Sequence, residues 1–322
     1  MSLVQSASTV DDLLAASIQY LLDSGEWVET SRGRTLETRG ARLELTNPRA
    51  RVSRSATLGH LFSALAETTW YISGREEHDH IDFYLPDYSS LIGTGGGAYG
   101  PRLFGVGEDA QVQRVIEQLR DTPSTRQAVI QVFRRDDLSG NLRDVPCTCT
   151  MQFFVRDGLV DLVVHMRSND AILGLPHDLF AFTFIQELVA RSLGCDVGTY
   201  VHFVGSLHIY DERIDSGAAY LREGALASYP MPPMPTTDPW HAAHTLLEWE
   251  ESLRLGAEHE FRPPDDLDLY WVQLGRAFEG FHAYRAKNKE RLAAVRSILS
   301  RTFFDLYLTD RHFRLEGILP DA

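Results

Sequence analysis

Residues 149–166 read CTMQFFVRDGLVDLVVHM, two apolar runs around the dipeptide Asp157-Gly158. Asp-Gly suits a tight hairpin turn because both residues tolerate positive φ, so the stretch predicts antiparallel strands with Arg156 opposite Leu159. Counting outward puts Cys147 opposite Ser168 and Thr148 opposite Arg167, and a bulge would shift that register by one residue. A cysteine beside a guanidinium favours thiolate over thiol, the form that attacks an electrophile. Cys149 has the same strand parity and is the internal control for that inference. The Cys-x-Cys spacing also suggests zinc, but no second Cys or His pair follows at ligand spacing, so no metal is expected.

Downstream, residues 173–194 read LGLPHDLFAFTFIQELVARSLG. This predicts a helix entered through Pro176 and closed by Gly194, with Asp178 in its first turn. Upstream, TVDDLLAASIQYLLDSG (9–25) has helical apolar spacing, with Thr9 and Asp12 placed as a capping pair. ETRGARLELTNPRARV (37–52) predicts strand, turn and strand, while TLGHLFSALAETTWYISG (57–74) returns to helical period. LIGTGGGAYG (91–100) reads as a flexible loop, EDAQVQRVIEQLRD (108–121) as a helix and QAVIQVF (127–133) as a strand. After the proline-rich YPMPPMPTTDP (229–239), helical pattern dominates. The expected organisation is α+β: a catalytic domain over 1–235 built on a mixed sheet with long central helices, and a helical C-terminal extension, 236–322, packed on the same domain.

The chain has 322 residues, 43% of them hydrophobic, enough for one large core or two modest ones. A net charge of −14 argues against a nucleic-acid or anionic-membrane partner, since both need a basic face. Lys287 and Lys289 are the only lysines, so an anionic substrate falls to arginine, whose fork suits phosphate. The three cysteines are too few for a disulfide framework. No apolar run approaches membrane-spanning length, and a cytoplasmic location is expected.

VPCTCTMQFF (145–154), MRSNDAILGLPHD (166–178) and GSLHIYD (205–211), in this order, resemble the thymidylate synthase family and its cytidylate hydroxymethylase branch. The family pattern is a Pro-Cys nucleophile, Arg-Ser-x-Asp, Leu-Gly-x-Pro-x followed by Asn or Asp, then His-x-Tyr. The similarity extends over roughly Thr30 to Pro235. It implies a homodimer on a twisted mixed sheet, a pyrimidine nucleoside monophosphate substrate and 5,10-methylenetetrahydrofolate as co-substrate.

The resemblance implies that Cys147 is the nucleophile, and that Arg167 and Ser168 hold the nucleotide phosphate. Arg126 is implied to reach the partner subunit's phosphate site, where Gln127 departs from a usual second arginine. A further phosphate arginine falls in TSRGRTLETRG (30–40), where we choose Arg32 over Arg34. Glu67 matches the glutamate that organises water and shuttles protons, and Tyr99 a tyrosine linked to loss of the C5 proton. His208 and Tyr210 match the pair on the sugar 3′-hydroxyl, and Asp170 the aspartate on the folate pterin; Asn169 carries no signal. The glycines before Tyr99 lack a Gly-Lys-Ser/Thr ending, so a P-loop is not expected.

Thymidylate synthases carry asparagine where this chain has Asp178. An amide satisfies uracil, with its O4 acceptor and N3 donor, whereas cytosine inverts both positions and suits a carboxyl group. The competing reading is that acids favour a helix's first turn, worth roughly 0.3–1 kcal/mol. Base recognition accounts better for the position, so CMP or dCMP is the expected substrate and the 5-hydroxymethyl nucleotide the product. Thr148 in place of the family histidine, His177 in place of phenylalanine, and Phe83, Tyr84 and Tyr88 in place of tryptophans fit a site modified to admit water. His177 is placed to pair with Asp178 or the water. The alternatives are a thymidylate synthase methylating dUMP and a non-catalytic nucleotide-binding relative.

Overall fold

Asp157 and Gly158 take φ of 50° and 75°, and strands β5 (Thr148–Arg156) and β6 (Leu159–Asp170) pair across them from Arg156↔Leu159 to Thr150↔His165. At Cys149 the register slips, and Thr148 faces Met166. Cys147 therefore lies opposite Arg167, not Ser168: its carbonyl accepts the Arg167 N–H at 2.8 Å. The cause is a bulge, in which the Cys149 carbonyl turns to accept the N–H groups of Val132 and Phe133 at 3.0 and 3.2 Å. The structure, a computed structural model, describes residues 3–59, 61–86, 88–89, 98–139, 145–257, 261–305 and 307.

Around this hairpin the described residues form a seven-stranded mixed sheet. Its order is β1 (Val4–Ala7), β3 (Gly33–Leu45), β7 (Asp196–Tyr210), β6, β5, β4 (Val129–Gln131), with β2 (Glu26–Thr30) paired to β3. β1 runs parallel to β3 and β6 parallel to β7; the other pairs are antiparallel. Of the strand, turn and strand expected over 37–52, the first strand is the end of β3 and a turn follows at Pro48 and Arg49, but no second strand does. Gly40 does take positive φ, 70°, but the β3–β7 ladder continues through it opposite Gly205, and the chain beyond Thr46 is not strand. A side chain at Gly205 would meet the Arg167 carbonyl at 2.7 Å, so glycine lets β6 and β7 stay close where the site begins. The QAVIQVF strand is confined to Val129–Gln131.

The helices of this unit are α1 (Val10–Ser24), α2 (Leu61–Ile72), α3 (Asp79–Tyr84), α4 (Gly100–Phe104), α5 (Gln111–Asp121), α6 (Gly174–Ser192) and α7 (Ile214–Arg222). Thr9 caps α1 as its spacing predicts, accepting the Asp12 N–H at 3.1 Å. α6 starts at Gly174, so Asp178 stands in its second turn, past the reach of a first-turn dipole preference. Every residue from Leu175 to Ala190 is buried, the mark of a core helix rather than an amphipathic one. It packs on β6 and β7 and on α2, whose residues are likewise all buried. Glu187 inside α6 is matched by Arg51, fully buried with it, and by Arg49 at 3.0 Å.

Residues Met231–Ala322 form a separate compact unit, and the division at Pro230 falls inside the proline-rich stretch. Its helices α8 (Pro239–Arg254), α9 (Leu269–Arg285) and α10 (Lys289–Leu299) are capped by Asp238, Asp268 and Asn288. The Trp249 ring lies 2.1 Å from where a side chain on Gly275 would begin, so α8 and α9 meet through a glycine notch. Among the described residues no helix is long and apolar enough to cross a membrane.

Candidate active site

The bulge delivers Cys147, half-buried, to the start of β5. Arg167 grips the backbone just before it, donating Nε to the Pro146 carbonyl at 3.0 Å and Nη2 to the Val145 carbonyl at 2.5 Å. On the other side the Tyr99 hydroxyl accepts the Thr148 N–H at 3.1 Å. The control residue behaves as an ordinary thiol: burial pushes Cys149 up, outweighing the nearby Arg167 N–H and charge. Thr148 buries its hydroxyl with no partner among the described residues.

α2 carries Glu67 into the same region. Its Oε1 accepts the hydroxyls of Tyr71 and Tyr88 at 2.7 and 2.8 Å, and the Tyr71 ring lies 5.3 Å from that of Tyr99. Burial, reinforced by Glu67 and Asp178, holds the Tyr71 and Tyr88 hydroxyls well above their ordinary range. Tyr99 is raised likewise, by burial and then by Cys147 and Asp178, so the three phenols stay protonated and act as donors. Gly100 brings α4 against α2, since a side chain there would meet the Tyr71 carbonyl at 2.9 Å. Arg102 anchors α4 with a bidentate ion pair to buried Asp137 at 2.7 Å.

Asp178 is buried beside this cluster, and burial followed by the Glu67 charge pushes its carboxyl well above the usual range, against the pull of a hydrogen bond with Asn169. Two carboxyl groups thus share one buried region, and the charge of Glu67 adds to burial in raising Asp178. His177 does not pair with Asp178. Its Nδ1 donates to the Leu173 carbonyl at 2.9 Å, leaving Nε2 to accept the Ser63 hydroxyl at 2.8 Å, a link from α6 to α2.

The remaining expected residues surround the ends of β6 and β7. Ser168 pairs with Ser206, and Asp170 with His208, across the parallel ladder. His208 and Tyr210 do share a face, with rings 5.1 Å apart and edge-on. Tyr210 is raised by burial and lowered by the charge of Arg32, which places Arg32 within electrostatic reach of it. Arg34 is engaged elsewhere, with Glu29, Asp211 and the Trp27 ring at 4.2 Å. Asp170 Oδ1 accepts the N–H groups of Ile172 and Leu173, while Oδ2 is buried with no partner among the described residues. Burial, partly offset by those bonds, raises its carboxyl. Arg126 stands apart from this group, exposed before β4 with its carbonyl bonded to Gln152.

A family profile described as thymidylate synthase matches residues 18–237. The chain belongs to the thymidylate synthase family. A thymidylate synthase of Bacillus licheniformis is 35% identical over 130 residues, 38% of this chain and 46% of the relative. One of Listeria monocytogenes is 30% identical over 105 residues, 33% of each chain, and one of Bacillus phage phi3T is 34% identical over 106 residues, 33% of this chain and 38% of the phage protein. The chain thus spans less than half the length of these curated relatives.

Set on the thymidylate synthase framework, the site contains residues that sequence reasoning missed. Asn169 was assigned no signal, yet its amide joins Asp178 to His202. Tyr71 lies four residues after Glu67, and that helical spacing on an apolar segment is the sequence cue for their contact. His202 offers no local cue, because it reaches the site through tertiary packing, and Tyr88, expected only in place of a tryptophan, instead donates its hydroxyl to Glu67. The glycine-rich residues 91–97 lie outside the described residues.

Proposed function

We propose that this protein transfers a one-carbon unit to C5 of a cytidine monophosphate, CMP or dCMP, and adds water to give the 5-hydroxymethyl nucleotide. The observation that carries this reading is Asp178, a buried carboxyl that burial and the Glu67 charge raise well above the usual range, at the position the resemblance assigns to base reading. A protonated carboxyl offers cytosine a donor for N3 and an acceptor for the N4 amino group in one plane. Cys147 adds through sulfur to C6, which makes C5 nucleophilic. Methylenetetrahydrofolate supplies the one-carbon unit. Loss of the C5 proton through the Tyr99 and Glu67 side with cleavage of the bond to tetrahydrofolate would leave an exocyclic methylene, and addition of water to it with departure of Cys147 from C6 completes the sequence.

Arg32, Arg167 and Ser168 are the proposed phosphate ligands, with Arg126 reaching across a homodimer to the partner's phosphate. His208 and Tyr210 take the sugar 3′-hydroxyl. The orphaned Asp170 Oδ2 suits the N–H donors of a pterin, so the donor set fits a folate.

The relatives' names favour a second reading, methylation of dUMP. Tritium release from C5-labelled CMP, dCMP and dUMP, with and without methylenetetrahydrofolate, separates the two. Folate-dependent release from a cytidylate with a hydroxymethyl product supports the first reading. Turnover of dUMP alone, with dihydrofolate formed, overturns it.

A further inference from the structure

The terminal torsion of a glutamate is soft, so a glutamate that moves protons can present either oxygen to its substrate unless neighbours fix it. Glu67 is fixed from one side. Its Oε1 accepts the Tyr71 hydroxyl at 2.7 Å and the Tyr88 hydroxyl at 2.8 Å, while Oε2 accepts no hydrogen bond among the described residues. The two donors come from different parts of the fold. Tyr71 stands one helical turn along α2 from Glu67, and Tyr88 arrives after α3, its ring edge-on to buried Trp70 with centroids 6.1 Å apart.

Both phenols keep their protons, because burial first and the Glu67 charge next raise them well above their ordinary range. Each hydroxyl has one hydrogen to give, and together they fill the two lone pairs of Oε1. A proton entering or leaving Glu67 then passes through Oε2. Tyr99, the third phenol of the cluster, does not compete for Glu67, since its hydroxyl is turned to the Thr148 N–H beside Cys147.

Addition of water to the exocyclic carbon is the step that needs such an atom. Resting on the cytidylate reading, we propose that Tyr71 and Tyr88 are positioning residues that reserve Glu67 Oε2 for the water that adds to the exocyclic methylene. The water oxygen bonds to the methylene carbon as its proton passes to Oε2, and the displaced electron pair re-forms the C5–C6 double bond and expels Cys147 from C6 as thiolate. With either phenol hydroxyl removed, Oε1 regains a free lone pair, the carboxylate turns, and the base no longer faces the water.

The test offers the methylene two nucleophiles. Wild type, Tyr71→Phe and Tyr88→Phe are each supplied with CMP or dCMP, methylenetetrahydrofolate and a fixed concentration of a small thiol, and the 5-hydroxymethyl nucleotide and the 5-thioether are both measured. A thiolate has no proton to surrender as it adds, so the thioether route does not use Oε2. Wild type gives chiefly the hydroxymethyl product. Each variant raises the ratio of thioether to hydroxymethyl product by about tenfold or more, since an ångström of misplacement costs up to about 10²-fold. Tyr88 is half-buried and lies outside the helix, so Tyr88→Phe keeps the fold and decides the matter even where Tyr71→Phe does not fold. A purely structural role slows both products alike, and an unchanged ratio in folded Tyr88→Phe overturns the proposal. Wild type that methylates dUMP and forms neither product from a cytidylate overturns the cytidylate reading instead.

Discussion

The hydroxyl of Tyr99 accepts the backbone N–H of Thr148 at 3.1 Å, tying the short helix α4 to the residue after Cys147. The same phenol is raised by burial and by the proximity of Cys147, so it stays protonated while it holds the backbone next to that cysteine. Tyr99→Phe leaves the Thr148 N–H buried without an acceptor, at a cost of about 1–3 kcal/mol. In the proposed mechanism it also removes the route by which the C5 proton leaves, worth about 10²-fold. The expected outcome is a modest fall in melting temperature with a much larger fall in kcat than in KM for C5 tritium release.

Glu187 carries a structural load that the active site does not share. Both it and Arg51 are fully buried, and Arg49 adds a second guanidinium at 3.0 Å. Removing Glu187 strips Arg51 of this buried carboxylate while Arg49 keeps Asp196, and Glu187→Ala is expected to cost about 3–5 kcal/mol of unfolding free energy in urea titration. Glu187→Gln, which keeps the shape but loses the charge, falls between.

The hairpin and the central helices were legible because each depends on local pattern: Asp157-Gly158 on turn chemistry, α6 on a long apolar run. The Cys149 bulge was not, because it is set by the N–H groups of Val132 and Phe133, which come from another strand. Residues 46–52 show the opposite error: a second strand was expected there, but the ladder to β7 ends at Leu45 and the chain turns away from the sheet. The acid at 178 could be read as a base contact, while the chain behind it, Asn169 to His202 to Tyr200, spans β6 and β7 and has no sequence spacing to betray it.

His202 predicts an acid-sensitive fold. Its pKa is about 3 in the folded protein against an ordinary 6.5, so between these values the unfolded chain binds the proton first. Stability is fully present above pH 6.5 and falls as pH is lowered, by about 1.4 kcal/mol per unit from this residue alone. Chemical denaturation at pH 7, 6 and 5 measures the slope, and His202→Gln flattens it by about that amount.

Asp178 works in the opposite direction. Burial and the Glu67 charge raise its carboxyl in the folded state, whereas the unfolded chain ionises near pH 3.9. Its contribution is intact below that value and is lost as pH rises through the folded pKa, because only the unfolded chain can release the proton cheaply. Asp178→Asn cannot ionise, so its melting temperature should match wild type near pH 4 and exceed it increasingly toward pH 8. The same substitution restores the amide that suits uracil, with a donor for O4 and an acceptor for N3–H. Tritium release should therefore shift from cytidylate to dUMP, by as much as about 10⁴-fold in relative kcat/KM if these hydrogen bonds govern selection. A variant that gains alkaline stability without that shift would separate the two effects and remove Asp178 from base recognition.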